Sequence, residues 1–351
     1  MAKVGIIGTG WGARVQVAAF REAGLEVAGL AGFHRAKTRR AAEELAVTPF
    51  DDWRELVNEK TIDLISIVTP PGQHLEMATA ALDAKKHVLS EKPTALNAMQ
   101  AQLLAERASH TDRIAIIDHE LRFLPAWRAA RKRIGEIGAL RYIEVRYSSP
   151  SRGDRSREWN WWSDAAAGGG IWGAVGSHHI DTIRYLGFEI EAAQAMLHSV
   201  ITERPFGDER KRVTSDDFAS VNLLLVGGAV AAMTFSAVAA GPDEPSVMTI
   251  HGEEGAMRLT GEELLMSKER KPFERIAGND LQQRPGNSPG GAFGSGTLLL
   301  GRALRAALDD GQLEALAPAA TFRDGLLQQR VLDVARLSAT NGGTWQRCNA
   351  V

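Results

Sequence analysis

Near its start the chain reads Lys3-Val4-Gly5-Ile6-Ile7-Gly8-Thr9-Gly10-Trp11-Gly12-Ala13, an apolar run that leads directly into a glycine-rich turn. The turn fits the pattern G-x-G-x-x-A at the junction of a strand and a helix. In this pattern Gly8 permits the tight turn, Gly10 lets a pyrophosphate approach the backbone, and the small Ala13 lets the helix pack closely on the strand. Free N–H groups at the helix start then bind the anion. We therefore predict a dinucleotide site that includes Gly8, Gly10, Trp11, Gly12 and Ala13.

The same alternation of strand and helix continues through the first 120 residues. Short apolar runs such as Ile62–Val68 and His87–Ser90 are separated by amphipathic stretches such as Gly72–Ala84 and Ala95–Ser109. Continuous apolar strands that alternate with helices are typical of a parallel sheet covered on both faces. The sequence therefore predicts an α/β fold that begins with a doubly wound parallel sheet, which forms a dinucleotide-binding domain over residues 1–120.

After residue 120 the pattern changes to longer strands in which apolar and polar residues alternate. These runs are Leu140–Ser148, Glu191–Thr202, Phe218–Val226, Ala229–Ala237 and Ser246–His251. The Val-Gly-Gly-Ala stretch at 226–229 predicts a hairpin between two of them. Alternation of this kind predicts an antiparallel sheet with one face on helices and the other facing solvent or a partner chain. Residues 121–351 are thus predicted to form an α+β domain with a large, mainly antiparallel, open-faced sheet.

Composition and charge exclude several classes of protein. The chain has 351 residues, enough for about two domains, and 41 basic against 43 acidic residues give a formal charge of −2. A charge near zero argues against nucleic acid as a partner, and no apolar run approaches the length of about 20 residues that spans a membrane. The lone Cys348 cannot form an internal disulfide, and no secretory signal is recognisable, so we expect a cytoplasmic protein. Residues 284–297 are rich in Gly, Pro, Ser and Asn, which predicts a mobile loop.

The second predicted strand ends without the acidic residue that usually grips the ribose 2′-hydroxyl of NAD, about 20 residues after the glycine turn. The stretch reads Gly32-Phe33-His34-Arg35-Ala36-Lys37, and two further cations follow at Arg39 and Arg40. A 2′-phosphate would be repelled by a carboxylate and attracted by these cations. We therefore predict that His34, Arg35 and Lys37 contribute to the cofactor site and that NADP(H) is preferred over NAD(H). The alternative is a solvated basic helix start.

Two further motifs carry a resemblance to a known family. The first is His87-Val88-Leu89-Ser90-Glu91-Lys92-Pro93, preceded by Thr69-Pro70-Pro71-Gly72-Gln73-His74. The second is Gly168-Gly169-Gly170-Ile171-Trp172-Gly173-Ala174-Val175-Gly176-Ser177-His178-His179-Ile180-Asp181. With the opening turn they resemble the glucose–fructose oxidoreductase / inositol dehydrogenase / rhizopine catabolism (Gfo/Idh/MocA) family, and the resemblance covers essentially the whole chain.

The resemblance implies a Rossmann domain, a substrate domain with an open sheet, and NAD(P)-dependent oxidation or reduction at a carbon of a sugar, cyclitol or polyol. It also implies a homodimer or homotetramer formed through that sheet. Lys92 and His178 match the catalytic lysine and histidine of the family, and the Lys92–Pro93 bond is expected to be cis. The remaining cofactor residues implied by the motifs are Thr69, Pro70, His74 and Glu91. The family often carries an Asp four residues before the histidine, where this chain has Ala174.

The chemistry of these side chains agrees with the implied reaction. Hydride transfer from an alcohol needs a group that takes the hydroxyl proton, and a histidine titrates near physiological pH. Gly176-Ser177 looks like a helix start, so we expect His178 in a first turn, where the helix dipole favours a neutral ring. The Lys92 ammonium would stabilise developing alkoxide charge. The alternatives are a packed histidine and a surface lysine, and we predict no metal site because adjacent histidines on a helix do not face one ligand.

Four residues are candidates for binding the substrate. Trp162 belongs to a group of tryptophans that brackets the second glycine motif, and aromatic faces stack on sugar rings, although a core role is equally open. Asp181 lies on the same helix face as His178 and could orient its ring. Arg122 resembles an arginine that the family places at its domain junction. Glu120 lies nearby and could replace the carboxylate missing at Ala174.

Two alternative functions stay open. The first is a sensor or regulator that binds NAD(P) without turnover, since the family resembles some transcriptional regulators and Ala174 removes a carboxylate. The second is an oxidoreductase for a substrate that is not a sugar, such as a diol or an imine.

Overall fold

The computed structural model describes residues 1–278 and 291–350, which divide into two units. Unit 1 holds residues 1–95, 100–124 and 291–326. Unit 2 holds residues 96–99, 125–278 and 327–350. Unit 1 therefore includes a late stretch of the chain, residues 291–326, besides the first part of the sequence.

Helices and strands alternate in the first part of the chain, and strands dominate the middle. The helices are α1 (Val17–Glu22), α2 (Arg35–Glu44), α3 (Trp53–Asn58), α4 (His74–Asp83), α5 (Ala98–Ser109), α6 (Pro125–Arg133), α7 (Ser177–Tyr185), α8 (Ala292–Asp309) and α9 (Phe322–Thr340). The strands are β1 (Lys3–Ile7), β2 (Glu26–Ala31), β3 (Thr48–Phe50), β4 (Leu64–Ile67), β5 (His87–Ser90), β6 (Ala115–Ile117), β7 (Leu140–Ser148), β8 (Ile190–His198), β9 (Glu203–Phe206), β10 (Glu209–Arg212), β11 (Phe218–Leu225), β12 (Val230–Ser236), β13 (Val247–Gly252), β14 (Gly255–Thr260), β15 (Glu263–Lys268), β16 (Glu274–Ala277), β17 (Ala320–Thr321) and β18 (Gln346–Arg347). Five-residue π-helical segments, Gly12–Gln16 and Trp172–Gly176, lead directly into α1 and α7.

Unit 1 is built on the predicted parallel sheet. Its seven strands lie in the order β17-β6-β5-β4-β1-β2-β3, and they are parallel except for β17, which pairs antiparallel with β6. Apolar side chains of the central strands, such as Val4, Ile6 and Leu64, are completely buried. The carboxyl ends of β1, β4, β5 and β6 meet at one edge, and in open α/β sheets ligands bind at that edge.

Helix α8 corrects the interpretation of residues 284–297 as a mobile loop. Residues 284–290 lie outside the described residues, whereas residues 292–297 form the first turns of α8. Leu300 and Leu304 are buried in the same core as Phe20. The small residues that suggested a loop serve packing instead, because a Cβ on Gly296 would lie 2.8 Å from the carbonyl oxygen of Glu120.

Unit 2 carries the predicted open sheet. Its nine strands lie in the order β16-β15-β14-β13-β7-β12-β11-β8-β18, and all neighbours are antiparallel except β7 and β12. The 226–229 hairpin is confirmed, with the Leu225 N–H bonded to the Ala229 carbonyl at 2.8 Å. Strands β14, β15 and β16 extend the sheet beyond the predicted strands, and β9 pairs with β10 in a separate hairpin.

No helix in the described part of the chain is long and apolar enough to cross a membrane.

Candidate active site

The glycine turn after β1 has the geometry of a dinucleotide cradle. Gly8 has φ +142°, and its N–H donates to Ala31 O at 2.8 Å; a Cβ on Gly8 would lie 2.1 Å from Val68 O. A Cβ on Gly12 would lie 2.8 Å from Ile6 Cγ2, so this position lets the first helical segment pack on β1. A Cβ on Gly10, by contrast, would meet nothing within 4 Å. The turn is closed against its own strands and open at Gly10, where a pyrophosphate is expected to approach.

The cations after β2 divide into two groups. Arg39 pairs with Asp51, and Arg40 donates to Glu44 Oε1 at 2.9 Å. Arg35 and Lys37 lie in the first turn of α2 and have no ion pair in the parts of the chain that the structure describes. Of the four predicted cations, Arg35 and Lys37 therefore form no ion pair among the described residues, although the charge of Arg35 also acts on Asp51.

An exposed aromatic side chain lies beside these cations and was missed in the sequence. Phe33 follows β2 and is 85% exposed, with its ring 5.0 Å from the ring of His34 in an edge-on arrangement. An exposed apolar side chain at the edge of a sheet where ligands bind is a candidate for contact with a ligand. The sequence could have indicated this residue, because Phe33 lies within the 32–37 stretch that predicts the cofactor site.

His74 supports two loops rather than facing solvent. Its ring is completely buried, with Nδ1 2.9 Å from Pro93 O and Nε2 2.8 Å from Thr69 O. Burial lowers the pKa of His74, while the carbonyl hydrogen bonds act in the opposite direction. The side chain therefore ties the segment after β4, which holds Thr69 and Pro70, to the segment after β5, which holds Lys92 and the cis Lys92–Pro93 bond.

Three carboxyl groups gather around Lys92 in unit 1. Glu91 follows β5 and is half-buried, whereas Asp118 follows β6 and Glu120 lies in the next turn, with exposures of 1% and 4%. Burial raises the pKa of all three, and the charges of Glu91 and Asp118 raise that of Glu120 further. The positive charge of Lys92 lowers each of these pKa values. The arrangement is a cluster of three carboxyl groups next to an ammonium group.

A hydrogen-bonded chain holds Asp118 in this cluster. Gln16 Nε2 donates to Asp118 Oδ2 at 2.9 Å, and Ser66 Oγ donates to Gln16 Oε1 at 2.6 Å. All three side chains are buried, and the donation from Gln16 lowers the pKa of Asp118 against the effect of burial. Gln16 and Asp118 were not predicted as site residues, because the contacts that give them a role join elements far apart in the sequence.

Arg122 is also anchored within unit 1. It is 5% exposed, with Nη2 3.5 Å from Asp324 Oδ1 and Nη1 donating to Pro318 O at 3.4 Å.

The second glycine motif shapes the approach to His178 in unit 2. Gly170 has φ +114°, and a Cβ there would lie 2.4 Å from Asp216 Oδ1. The other oxygen of Asp216 accepts the Trp172 N–H at 2.7 Å. Burial raises the pKa of Asp216 to about 6. Asp216, which the sequence analysis missed, therefore fixes the chain where the helical segment begins.

The position of His178 in its helix differs from the prediction. The π-helical segment begins at Trp172 and continues into α7, so His178 lies well beyond the first turn. Because the helix dipole acts within the first turn, it gives no reason for a neutral ring here. The segment is held instead by packing and hydrogen bonds. Gln328 donates to Ser177 O at 2.7 Å, and Thr182 donates to His178 O at 2.9 Å.

The other candidates in unit 2 have distinct surroundings. Asp181 and His178 are each 4% exposed. His179 is in contact with Ser246 Oγ at 2.9 Å, and burial lowers its pKa to about 4, in agreement with its predicted structural role. Trp172 is a core residue that donates to Leu332 O at 3.2 Å, whereas Trp162 is half-buried with the Arg152 guanidinium 4.1 Å above its ring. Trp162 is thus the better placed of these two tryptophans to contact a ligand.

Among residues 1–278 and 291–350, no group of three or more His, Cys, Asp or Glu side chains is arranged to hold a metal ion.

Comparison with known proteins gives family matches for both parts of the chain. The model of the oxidoreductase family with an NAD-binding Rossmann fold, GFO_IDH_MocA, matches residues 2–119, and the GFO/IDH/MocA C-terminal domain matches residues 127–258. An uncharacterized oxidoreductase of Synechocystis sp. is 32% identical over 270 residues, which cover 74% of this chain and 72% of that protein.

Two further matches are to levoglucosan dehydrogenase. The protein from Pseudarthrobacter phenanthrenivorans is 29% identical over 223 residues, 59% of this chain and 57% of the relative. A solved structure of levoglucosan dehydrogenase in complex with NADH and L-sorbose has a TM-score of 0.87 at 23% identity, over 99% of both chains. At that identity the structural match shows a shared fold.

Proposed function

Because the chain belongs to the Gfo/Idh/MocA family of oxidoreductases, as its motifs predict, we propose that it transfers hydride between a nicotinamide cofactor and a CH–OH group of a carbohydrate-like substrate. The observation that carries the proposal is the set of residues at one edge of the unit 1 sheet. There the open turn at Gly10 follows β1, while Lys92 and its three carboxyl groups follow β5 and β6. One sheet edge thus holds a cofactor cradle and an ammonium group that can stabilise an alkoxide, and reversible alcohol oxidation needs both.

The residues of this chain supply charge stabilisation and proton transfer. When bound, the nicotinamide supplies the hydride acceptor or donor. Lys92 stabilises the negative charge that develops on the substrate oxygen, and the buried carboxyl groups beside it hold its ammonium group in place. His178 takes the hydroxyl proton during oxidation and returns it during reduction. Asp181 orients the ring of His178. The carboxylate that the family often carries four residues before the histidine is absent here, because that position is Ala174.

The substrate class is proposed from one relative and from the side chains available. Levoglucosan dehydrogenase, a relative at 29% identity, has a name that places it among sugar dehydrogenases. Trp162 is half-buried, and the ring face that Arg152 does not cover is the one proposed to stack on a sugar ring. Glu120 and Arg122 offer hydrogen-bond partners for hydroxyl groups. A diol or an imine as substrate stays an alternative for the same chemistry.

We propose a preference for NADP(H) because β2 is followed by Gly32 instead of a carboxylate, and because Arg35 and Lys37 form no ion pair with any residue that the structure describes. Removing either cation should weaken NADPH binding about tenfold, since hydrogen bonds to charged groups contribute about 1.5–3 kcal/mol, and should leave NADH binding nearly unchanged. The measurement is the dissociation constant of each nucleotide for wild type, Arg35→Ala and Lys37→Ala. Arg40→Ala, which removes a cation already paired with Glu44, is the matched control. Tighter binding of NADH by the wild type would contradict the preference.

A regulator that binds the cofactor without turnover is the second candidate, favoured by Ala174. One turnover assay separates the two. Reduction of NADP⁺ or NAD⁺ is followed by the absorbance of the reduced nicotinamide, with a panel of sugars, sugar acids and cyclitols, for wild type and His178→Asn. We expect turnover with at least one substrate and a loss of about 100-fold or more in kcat for the variant. Tight cofactor binding with no turnover across the panel would favour the regulator.

A further inference from the structure

Arg152 in unit 2 is an arginine whose charge has no acidic partner. Its Nη1 atom is buried and has no hydrogen-bond partner, and no carboxylate lies within ion-pair distance of its guanidinium, among the residues that the structure describes. The charges that act on it most strongly are those of Arg157 and Arg204, which have the same sign. Together with burial they lower the pKa of Arg152 to about 10. A charge that is partly removed from water and left unpaired is unfavourable, so this position is a poor one for an arginine with only a structural role.

Hydrogen bonds hold the backbone of Arg152 in place, and this fixes the point from which its side chain extends. The Arg152 N–H donates to Ala237 O at 2.7 Å, and its carbonyl accepts from Arg204 Nη2 at 2.6 Å. Arg204 is 2% exposed and also donates to Asp154 O at 2.8 Å. Arg157 donates to Ser151 O at 3.1 Å from the same loop. Three arginines are therefore held together by the backbone of one loop.

Trp162 fixes the plane of the Arg152 side chain. The guanidinium carbon lies 4.1 Å above the tryptophan ring, a cation–π contact. A guanidinium stacked on its face keeps the N–H groups at its edge available for in-plane hydrogen bonds, and this fork matches the paired oxygens of a carboxylate or a phosphate.

From this geometry we propose that Arg152, supported by Arg157 and Arg204, forms a binding site for the oxyanion group of a small molecule, a carboxylate or a phosphate. Two oxygens of the anion accept hydrogen bonds from the accessible edge of the Arg152 guanidinium, while the neighbouring arginines add positive charge. The ligand supplies the negative charge that Arg152 itself lacks, since the acidic Asp154 of the same loop acts on Arg204 and Arg157. The inference goes beyond the proposed oxidoreductase activity and does not depend on it.

The test is calorimetric titration of the full chain with inorganic phosphate and, separately, with D-glucuronate, with glucose as the neutral control. The proteins are wild type, Arg152→Met, Arg152→Lys and Arg155→Met. Arg155 is an exposed arginine of the same loop, so its removal changes the net charge equally. Phosphate bound at the Gly8–Gly12 turn is common to all four proteins and is subtracted.

We expect saturable binding of at least one anion through Arg152, whereas any binding of glucose at the proposed substrate site should be equal in wild type and Arg152→Met. Arg152→Met should weaken anion binding about tenfold or more, Arg152→Lys by less, and Arg155→Met by less than about twofold. The anion that binds more tightly identifies the source as a phosphate ester or a sugar acid. Equal thermal unfolding temperatures of Arg152→Met and wild type exclude misfolding as the cause; if this variant is unstable, Arg152→Lys against wild type decides.

Two results would overturn the proposal. One is the absence of binding by either anion, or equal losses in Arg152→Met and Arg155→Met, which would indicate unspecific charge attraction. The other is a change in oligomeric mass caused by Arg152→Met without any anion binding, which would assign the arginine to a contact between copies of the chain.

Discussion

At the scale of single residues, the glycines of the first turn have separable roles. Gly8 is constrained by positive φ and by the Val68 carbonyl, whereas Gly10 faces open space. These roles were predictable because the G-x-G-x-x-A pattern is local and its geometry follows from the strand and helix on either side.

This separation gives a prediction on two matched substitutions. Gly8→Ala should lower the free energy of unfolding by about 3 kcal/mol or more, because the new Cβ would overlap the Val68 carbonyl. Gly10→Ala should cost less than about 1 kcal/mol and yet weaken nucleotide binding about tenfold or more, because the Cβ would occupy the path of the pyrophosphate. Urea unfolding and nucleotide titration of both variants check this. Normal cofactor affinity in Gly10→Ala would contradict the assignment of the turn.

Gln16 gives a second prediction at this scale. Gln16→Leu leaves the Asp118 carboxyl and the Ser66 hydroxyl without their buried partner, and each loss costs about 1–3 kcal/mol. We expect Gln16→Leu to lower the free energy of unfolding by about 2–4 kcal/mol. Gln16→Glu, which has a similar volume and can keep the Ser66 contact, serves as the comparison. A change below about 0.5 kcal/mol in Gln16→Leu would show that the chain of hydrogen bonds contributes little.

At the scale of elements, the helical segment that carries His178 is fixed by contacts that are distant in the sequence. Asp216 holds its start, and His179 packs against Phe235 with a ring separation of 5.3 Å. The sequence predicted the helix and the structural role of His179. Helix α7 begins at Ser177, close to the predicted start, but the π-helical segment from Trp172 that leads into it was missed because it has no recognisable local pattern.

These two groups predict opposite dependences of stability on pH. The pKa of Asp216 is raised to about 6, so its contribution is present below about pH 4 and is lost as the pH rises towards 6. The pKa of His179 is lowered to about 4, so its contribution is present above about pH 6.5 and is lost as the pH falls towards 4. Between pH 4 and 7, the stability of wild type relative to Asp216→Asn should fall by about 3 kcal/mol, and that relative to His179→Gln should rise by about 3 kcal/mol. Urea unfolding at several pH values tests this, and equal slopes in all three proteins would contradict it.

At the scale of the whole molecule, sequence patterns predicted both sheets but not the path of the chain between the units. Helix α8 was not predicted, because Gly294, Gly296 and Gly301 lower helix propensity in a stretch that follows many loop-forming residues. Tertiary packing overrides this, since a Cβ on Gly301 would lie 3.0 Å from Phe20 Cδ1. The buried carboxyl cluster likewise needs three separate elements, which no local pattern can indicate.

We propose that the open face of the nine-stranded sheet forms the homodimer or homotetramer contact that the family resemblance implies. Exposed residues of neighbouring strands share this face through the observed register, among them Met196, Val230 and Tyr142. Ala232→Arg should convert the assembly into a monomer, because it places a charge at the centre of the face, whereas Val226→Arg, in the hairpin turn, should not. Light scattering measures the mass, and a monomeric wild type would contradict the proposal.

The most direct test of the proposed hydride transfer uses a reduced nicotinamide cofactor that carries deuterium at C4. The protein is incubated with this cofactor and a panel of keto-sugars and oxidised cyclitols, and the products are examined by mass spectrometry. We predict that one deuterium appears at the carbon that becomes CH–OH, and that His178→Asn reduces its rate of appearance by about 100-fold or more. A tightly bound cofactor with no deuterium in any product would contradict the account.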